Sequence, residues 1–375
     1  MKYNGGVLKR DEKAIMKLRE LYELYGYKKY KMSKFEEYDL YLENKSFLTS
    51  DNIITFNDLS GRLLALKPDV TLSIVKNTAA DSDNIQKLYY NENVYRTPHG
   101  SHEFREIMQV GLEYIGNIDL YAVCEVLALA AKSLELICGK YVIDVSHMGI
   151  VTGVLESVDL KLGTKERVLK CIEQKNPHEL ERICAAEGIG DDEIRLLTTL
   201  ATLSGGFEKT LAAAKSLIVN DTVADAVAEL ESMYKILKAT GNDKNINLDF
   251  SIINDLSYYN GIIFQGFIEG VPCGILSGGR YDRLLEKLGR RGGAIGFAIY
   301  TSLIDLYDVQ TEEFDADALI IYNEETDIAA LAVEVERLTE SGERVLAARD
   351  GKTLLRSRKV YKMNGRELDL IETND

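Results

Sequence analysis

"YRTPHGSHEFREIMQVGLEYIG", residues 95–116, is the stretch on which the fold turns. Its second half, IMQVGLEYIG, reads as a strand, and so does KLYYNENV just ahead of it. Between them lies a short loop with Arg96, His99, Gly100, His102 and Arg105. Arginine offers a planar fork of donors that suits phosphate oxygens, so the loop has the make-up of a phosphate-handling loop. Strands joined by so short a connection favour an antiparallel sheet over a doubly wound parallel one.

Working outward, Ile15, Leu18, Tyr22 and Tyr25 recur at helical spacing before Gly26, which predicts a helix over 11–25. NIITFND and GRLLALKP follow as short strands, VTLSIVKNTA as a helix, and 119–138 as a long helix before KYVIDVS. From about 151 to 242 the chain reads as almost wholly helical. Its clearest stripe is Val223, Val227, Leu230, Tyr234 and Leu237, after a cap at Asp221 or Thr222. Strands return with INLDFSI, GIIFQGFIEG and VPCGILSGG, and the last sixty or so residues alternate strand and helix. The expected organisation is an α+β core split into 1–150 and 243–312 around a helical insertion at 151–242, with a small α/β unit at 313–375.

The net charge of −15 argues against a protein that coats nucleic acid, because phosphate binding needs a basic footprint. The five cysteines form no CxxC pair, so free buried thiols are expected, with no metal site and no disulfide framework. His99 and His102 alone are too few for a zinc site. LYAVCEVLALAAKSLELIC contains Glu125, Lys132 and Glu135, which makes it a packed helix and no membrane span. The N-terminus has no apolar run before a cleavage site, so a cytoplasmic protein is expected.

Four stretches in order carry a resemblance: LALKPDVT (64–71), the opening stretch (95–116), NDLSYYNGIIFQG (254–266) and SGGRYDRLLEKLG with GGAIGFA (277–298). Together they resemble the signatures of the histidyl-tRNA synthetase catalytic domain, over roughly residues 5 to 310. The resemblance implies a class II synthetase-like fold: a mixed, mainly antiparallel sheet flanked by helices. It also implies a reaction in which cations face a triphosphate, and here the sequence departs from the family. Pro98 stands where a nucleotide-contacting glutamate follows Arg96, Asn254 where the histidine-specific stretch has its catalytic arginine, and Leu303 where an arginine follows the GFA strand. Loss of one such preorganised donor costs on the order of 3–4 kcal/mol of barrier, so no adenylation and no catalytic residue are expected.

The family's amino-acid pocket maps onto Asp69, Thr71, Gln109, Glu113, Tyr259 and Tyr281, with Arg96 for a ligand carboxylate. Carboxylates suit an ammonium and an imidazole N–H, while the amide and phenols give direction. A kept pocket with a lost reactive centre resembles the regulatory-subunit family of ATP phosphoribosyltransferase, to which ALKPDVT and GGRYDRLLEKLG are well suited. That resemblance implies no cofactor, a short-form catalytic subunit as partner, histidine as effector, and a homodimer within a hetero-oligomer. The first motif, KMSKFEEYDLY (31–41), lacks the family's proline.

Simpler readings stand beside these. Asp69 and Thr71 suit a helix cap. Gln109 and Glu113, four apart on a strand, share a side that faces either a pocket or solvent. Tyr258 and Tyr259 would point to opposite sides of a strand, and SGGRYD reads as a turn. The basic tail RDGKTLLRSRKVYKMNGR (349–366) suits a solvated helix face in a truncated unit with room for two or three strands, or a docking surface for the partner. The alternatives are a divergent synthetase, with Arg290 or Arg291 replacing the lost cations, and an orphan synthetase-like module that binds RNA or protein.

Overall fold

The computed structural model describes residues 10–48, 52–78, 84–97, 103–253, 258–307, 314–351 and 353–374. Pro98, His99, His102 and Asn254 lie outside them. Two compact units form, one over Arg10–Tyr307 and one chiefly over Asp308–Asp375.

A nine-stranded sheet organises the larger unit. Its strands are β1 (Lys28–Lys29), β2 (Gln86–Arg96), β3 (Arg105–Gly116), β4 (Tyr141–His147), β5 (Ser204–Gly206), β6 (Ile246–Asp249), β7 (Ile262–Ile268), β8 (Leu276–Arg280) and β9 (Gly293–Tyr300). They lie in the order β1-β2-β3-β9-β8-β7-β4-β6-β5. Only β1–β2 and β4–β6 pair parallel; the other neighbours are antiparallel. The opening stretch is the β2–β3 hairpin, with Arg96 opposite Arg105.

Because side chains alternate along a strand, register sorts them onto two faces. Val110, Leu112, Phe264, Phe297 and Ile299 face one way, into the apolar core with helices Arg10–Leu24 and Leu120–Ile137. Asp119 caps the second helix by accepting from the Ala122 N–H at 2.8 Å. Tyr22 and Ser133 join the two helices through a 3.0 Å hydroxyl contact. The opposite face is polar or small: Gln109, Gly111 and Glu113 on β3, Gly296 and Ala298 on β9, Ser277 and Gly279 on β8, Gln265 on β7. SGGRYD is therefore mostly strand, as the reading of VPCGILSGG held, and not the turn of the simpler reading. Its glycines are needed for close approach, since a Cβ on Gly278 would come 2.4 Å from the Gly296 carbonyl oxygen.

Helices follow β4 at Met148–Glu156, Leu162–Glu173, Pro177–Ala186, Asp191–Thr202, Phe207–Ala214 and Asp221–Ala239. This insertion departs from the expectation twice. Ser204–Gly206 is a short strand that pairs with β6, and the last helix is capped by Asn220, whose Oδ1 accepts from the Val223 N–H at 3.0 Å. Leu230, Met233 and Leu237 of the insertion share one apolar cluster with the sheet and its helices.

The smaller unit has four strands, more than expected, in the order Val345–Arg349, Ala316–Tyr322, Ser357–Asn364 and Glu367–Thr373. Helix Ile328–Glu340, capped by Asp327, packs on them through Leu331 and Leu338. The second half of the basic tail is thus strand Ser357–Asn364, and no described part of the tail is a helix face.

Cys124, Cys171 and Cys184 are buried, whereas Cys138 is half-buried and Cys273 exposed. Among the described residues no helix is long and apolar enough to cross a membrane, and no cluster of His, Cys, Asp and Glu is placed to hold a metal.

Candidate functional site

The polar face of the sheet floors a cavity of about 640 Å³. Asp69, Thr71, Arg96, Gln109, Glu113, Tyr259 and Tyr281 all line it. Four chain segments bring them together: the start of helix Thr71–Asn77, the β2–β3 hairpin, the chain just before β7, and the end of β8.

Asp69 accepts from the Leu72 N–H at 2.8 Å, so it does cap that helix, as the simpler reading held. It also faces the cavity, and the two roles coexist. The Thr71 hydroxyl donates to Glu113 Oε1 at 2.8 Å, and the Tyr281 hydroxyl donates to Glu113 Oε2. Gln109 and Glu113 are 5% and 2% exposed, which excludes a solvated polar face for this side of β3. Glu113 comes so close to β9 that only glycine fits opposite: a Cβ on Gly296 would lie 1.9 Å from Oε2.

A buried carboxyl, Glu113, and a half-buried one, Asp69, set the electrostatics. Burial pushes the Glu113 carboxyl up to about 8, and nearby Asp69 adds to this while the two hydroxyls pull the other way. Asp69 is also raised by removal from water, against the Leu72 N–H and the charge of Arg96. Arg96 lies over the Tyr300 ring, 5.7 Å from its centroid, and donates to its hydroxyl at 3.3 Å. The cavity thus offers acceptors to an ammonium or imidazole N–H at one place and a guanidinium to a carboxylate at another.

Sequence reasoning placed Tyr258 away from the pocket, and this is corrected. Residues 258–261 precede β7, so strand alternation does not apply, and both tyrosines line the cavity. Tyr258 packs on Tyr259 and Tyr281, with ring centroids 4.5 and 5.6 Å apart. Gln265, Ser277, Tyr300 and Glu173 also line the cavity and were missed. Gln265 had a signal, a lone polar residue in the apolar run IIFQGFI. Glu173 had none, since it arrives from the insertion.

Of the three departures from the family, only Leu303 lies among the described residues. Leu303 packs against the main apolar cluster and is not part of the cavity wall. Arg290 donates to the Val75 carbonyl and to Thr78 Oγ1 and is likewise absent from the wall. Among the described residues Arg96 is the only cation lining the cavity.

The histidyl-tRNA synthetase family model matches residues 7–304. An ATP phosphoribosyltransferase regulatory subunit of Caldanaerobacter subterraneus subsp. tengcongensis is 35% identical over 291 residues, 76% of this chain and 74% of its own. A Bacillus halodurans structure described as an ATP phosphoribosyltransferase regulatory subunit/histidyl-tRNA synthetase superposes with a TM-score of 0.73 at 24% identity, covering 92% of this chain and 90% of that one. A chain of the ATP phosphoribosyl transferase (HisG:HisZ) complex from Thermotoga maritima superposes at 0.62 with 17% identity, covering 80% and 98%. Both structures share the class II synthetase-like fold.

Proposed function

Because this chain belongs to the ATP phosphoribosyltransferase regulatory subunits within the histidyl-tRNA synthetase family, we propose that it works by binding and not by chemistry. It assembles with a short-form ATP phosphoribosyltransferase catalytic subunit in the first step of histidine biosynthesis. It is needed for that subunit's activity and passes on feedback inhibition by histidine. The two-component Thermotoga maritima complex supports a heteromeric assembly.

The observation that carries this reading is a cavity wall with three carboxyls, several phenols and, among the described residues, a single cation. Asp69 and Glu113 suit the ammonium and imidazole N–H of histidine, Gln109 and the tyrosines orient it, and Arg96 suits its carboxylate. Adenylation would need further cations on a triphosphate, and Leu303 and Arg290 supply none to the wall. Feedback then requires that histidine bind more tightly to the inactive assembly than to the active one. A tenfold difference is worth about 1.4 kcal/mol.

The test mixes the purified chain with a short-form catalytic subunit and follows consumption of ATP and phosphoribosyl pyrophosphate. The expected outcome is activity that depends on this chain and falls as histidine is added. Histidine-dependent ATP–pyrophosphate exchange by the chain alone would instead establish the second reading, a divergent synthetase.

A further inference from the structure

Glu173 brings the helical insertion to the cavity, and the way it is held is unusual. It is the last residue of helix Leu162–Glu173, which closes with Lys175 N–H on the Ile172 carbonyl at 3.0 Å and Asn176 N–H on the Cys171 carbonyl at 2.9 Å. Lys175 takes φ +50, the left-handed position that glycine fills without cost at helix ends. Among the described residues Asp350 alone shares this trait among non-glycines. Such a conformation persists only where surrounding contacts demand it.

The contact in question is an ion pair. Lys175 Nζ lies 2.6 Å from Asp249 Oδ2, at the end of β6. Asp249 is buried, and its other oxygen accepts from the Ser251 hydroxyl at 2.6 Å and the Ser251 N–H at 3.0 Å. Asp144, beside it on the sheet, also lies within electrostatic reach of Lys175. Beyond Ser251 the chain runs to Ile253 and then to Tyr258 and Tyr259, all in the cavity wall. One ammonium therefore ties the turn bearing Glu173 to the end of β6, from which the described chain leads to Ile253 in the cavity wall.

We propose that the Glu173–Lys175 turn is a latch. Lys175 pins it to Asp249, Glu173 closes the cavity over the ligand, and its carboxylate accepts an N–H from the ligand's cationic or imidazole end. The insertion is thereby part of the ligand site, and occupancy of the cavity and placement of the insertion bias each other. The ligand assignment rests on the histidine reading above; the latch itself does not.

The experiment compares the full chain with Lys175→Gly, Lys175→Arg and Glu173→Ala. It measures histidine binding by calorimetry, melting temperature, and hydrogen exchange over 249–259 without ligand. Glycine suits the backbone but lacks the charge. Lys175→Gly is therefore expected to melt at the same temperature or higher, to exchange faster over 249–259, and to bind histidine about tenfold more weakly. Lys175→Arg keeps the charge and binds within about twofold of the parent. Glu173→Ala weakens binding about as much as Lys175→Gly with unchanged exchange. Parent-like binding and exchange in Lys175→Gly, or affinity and melting temperature falling together, would overturn the latch. If the parent binds no histidine, the pocket reading fails. The exchange comparison then decides the latch alone, and equal exchange sinks it.

Discussion

Glu113 keeps its proton well above the ordinary carboxylate range, because burial pushes it up to about 8. The sign of the resulting pH dependence is the reverse of the common one for carboxylates. The folded state binds a proton that the unfolded state has released, so the stability Glu113 contributes is complete below the unfolded value and is lost as pH rises toward 8. Between about pH 5 and pH 8, the parent should lose stability relative to Glu113→Gln by up to about 1.4 kcal/mol per pH unit. Urea unfolding of both proteins at several pH values measures this difference. A cationic ligand prefers the ionised carboxylate, so histidine affinity should rise toward pH 8, by about tenfold per unit at most, and Glu113→Gln should flatten that rise. Calorimetry in two buffers of different ionisation enthalpy would also count the proton released.

At the scale of elements, the β3–β9 seam and the insertion's last helix make separate predictions. Gly296→Ala places a methyl group on Glu113, and should cost about 2 kcal/mol of stability and most of the histidine affinity, as read by denaturation and calorimetry. Asn220→Ala removes a cap from helix Asp221–Ala239, and should cost about 1 kcal/mol with the affinity retained. What was legible from residues follows the same division. The β2–β3 hairpin and the shared side of Gln109 and Glu113 were readable, because strand period is a local property. Ser204–Gly206 was not, since Ser-Gly-Gly has no strand preference and becomes a strand only by pairing with β6. Tyr258 was misplaced because alternation was applied where no strand exists. Glu173 was invisible because its nearness to the cavity comes from the path of a whole inserted segment.

At the scale of the molecule, charge argues about partners. The chain carries −15 overall, and in the smaller unit Arg349, Lys359 and Arg366 pair with Glu324, Glu343 and Asp327. The basic tail is therefore partly offset where it lies, in a chain that is acidic overall, and filter binding with bulk tRNA at about 0.15 M salt should show no retention above that of a neutral control protein. The larger unit has a different large-scale property. Glu113 on β3 pairs with Gly296 on β9, with the whole insertion between them in the chain. Long-range closure of this kind is slow and comes late. During synthesis, β2 and β3 leave the ribosome long before β9 exists, with the β3 edge unpaired in the meantime. The cavity cannot take a ligand until almost all of the larger unit has been made. For that interval the nascent chain depends on helices Arg10–Leu24 and Leu120–Ile137 to shield its sheet, and a chain released early would expose the β3 edge to aggregation.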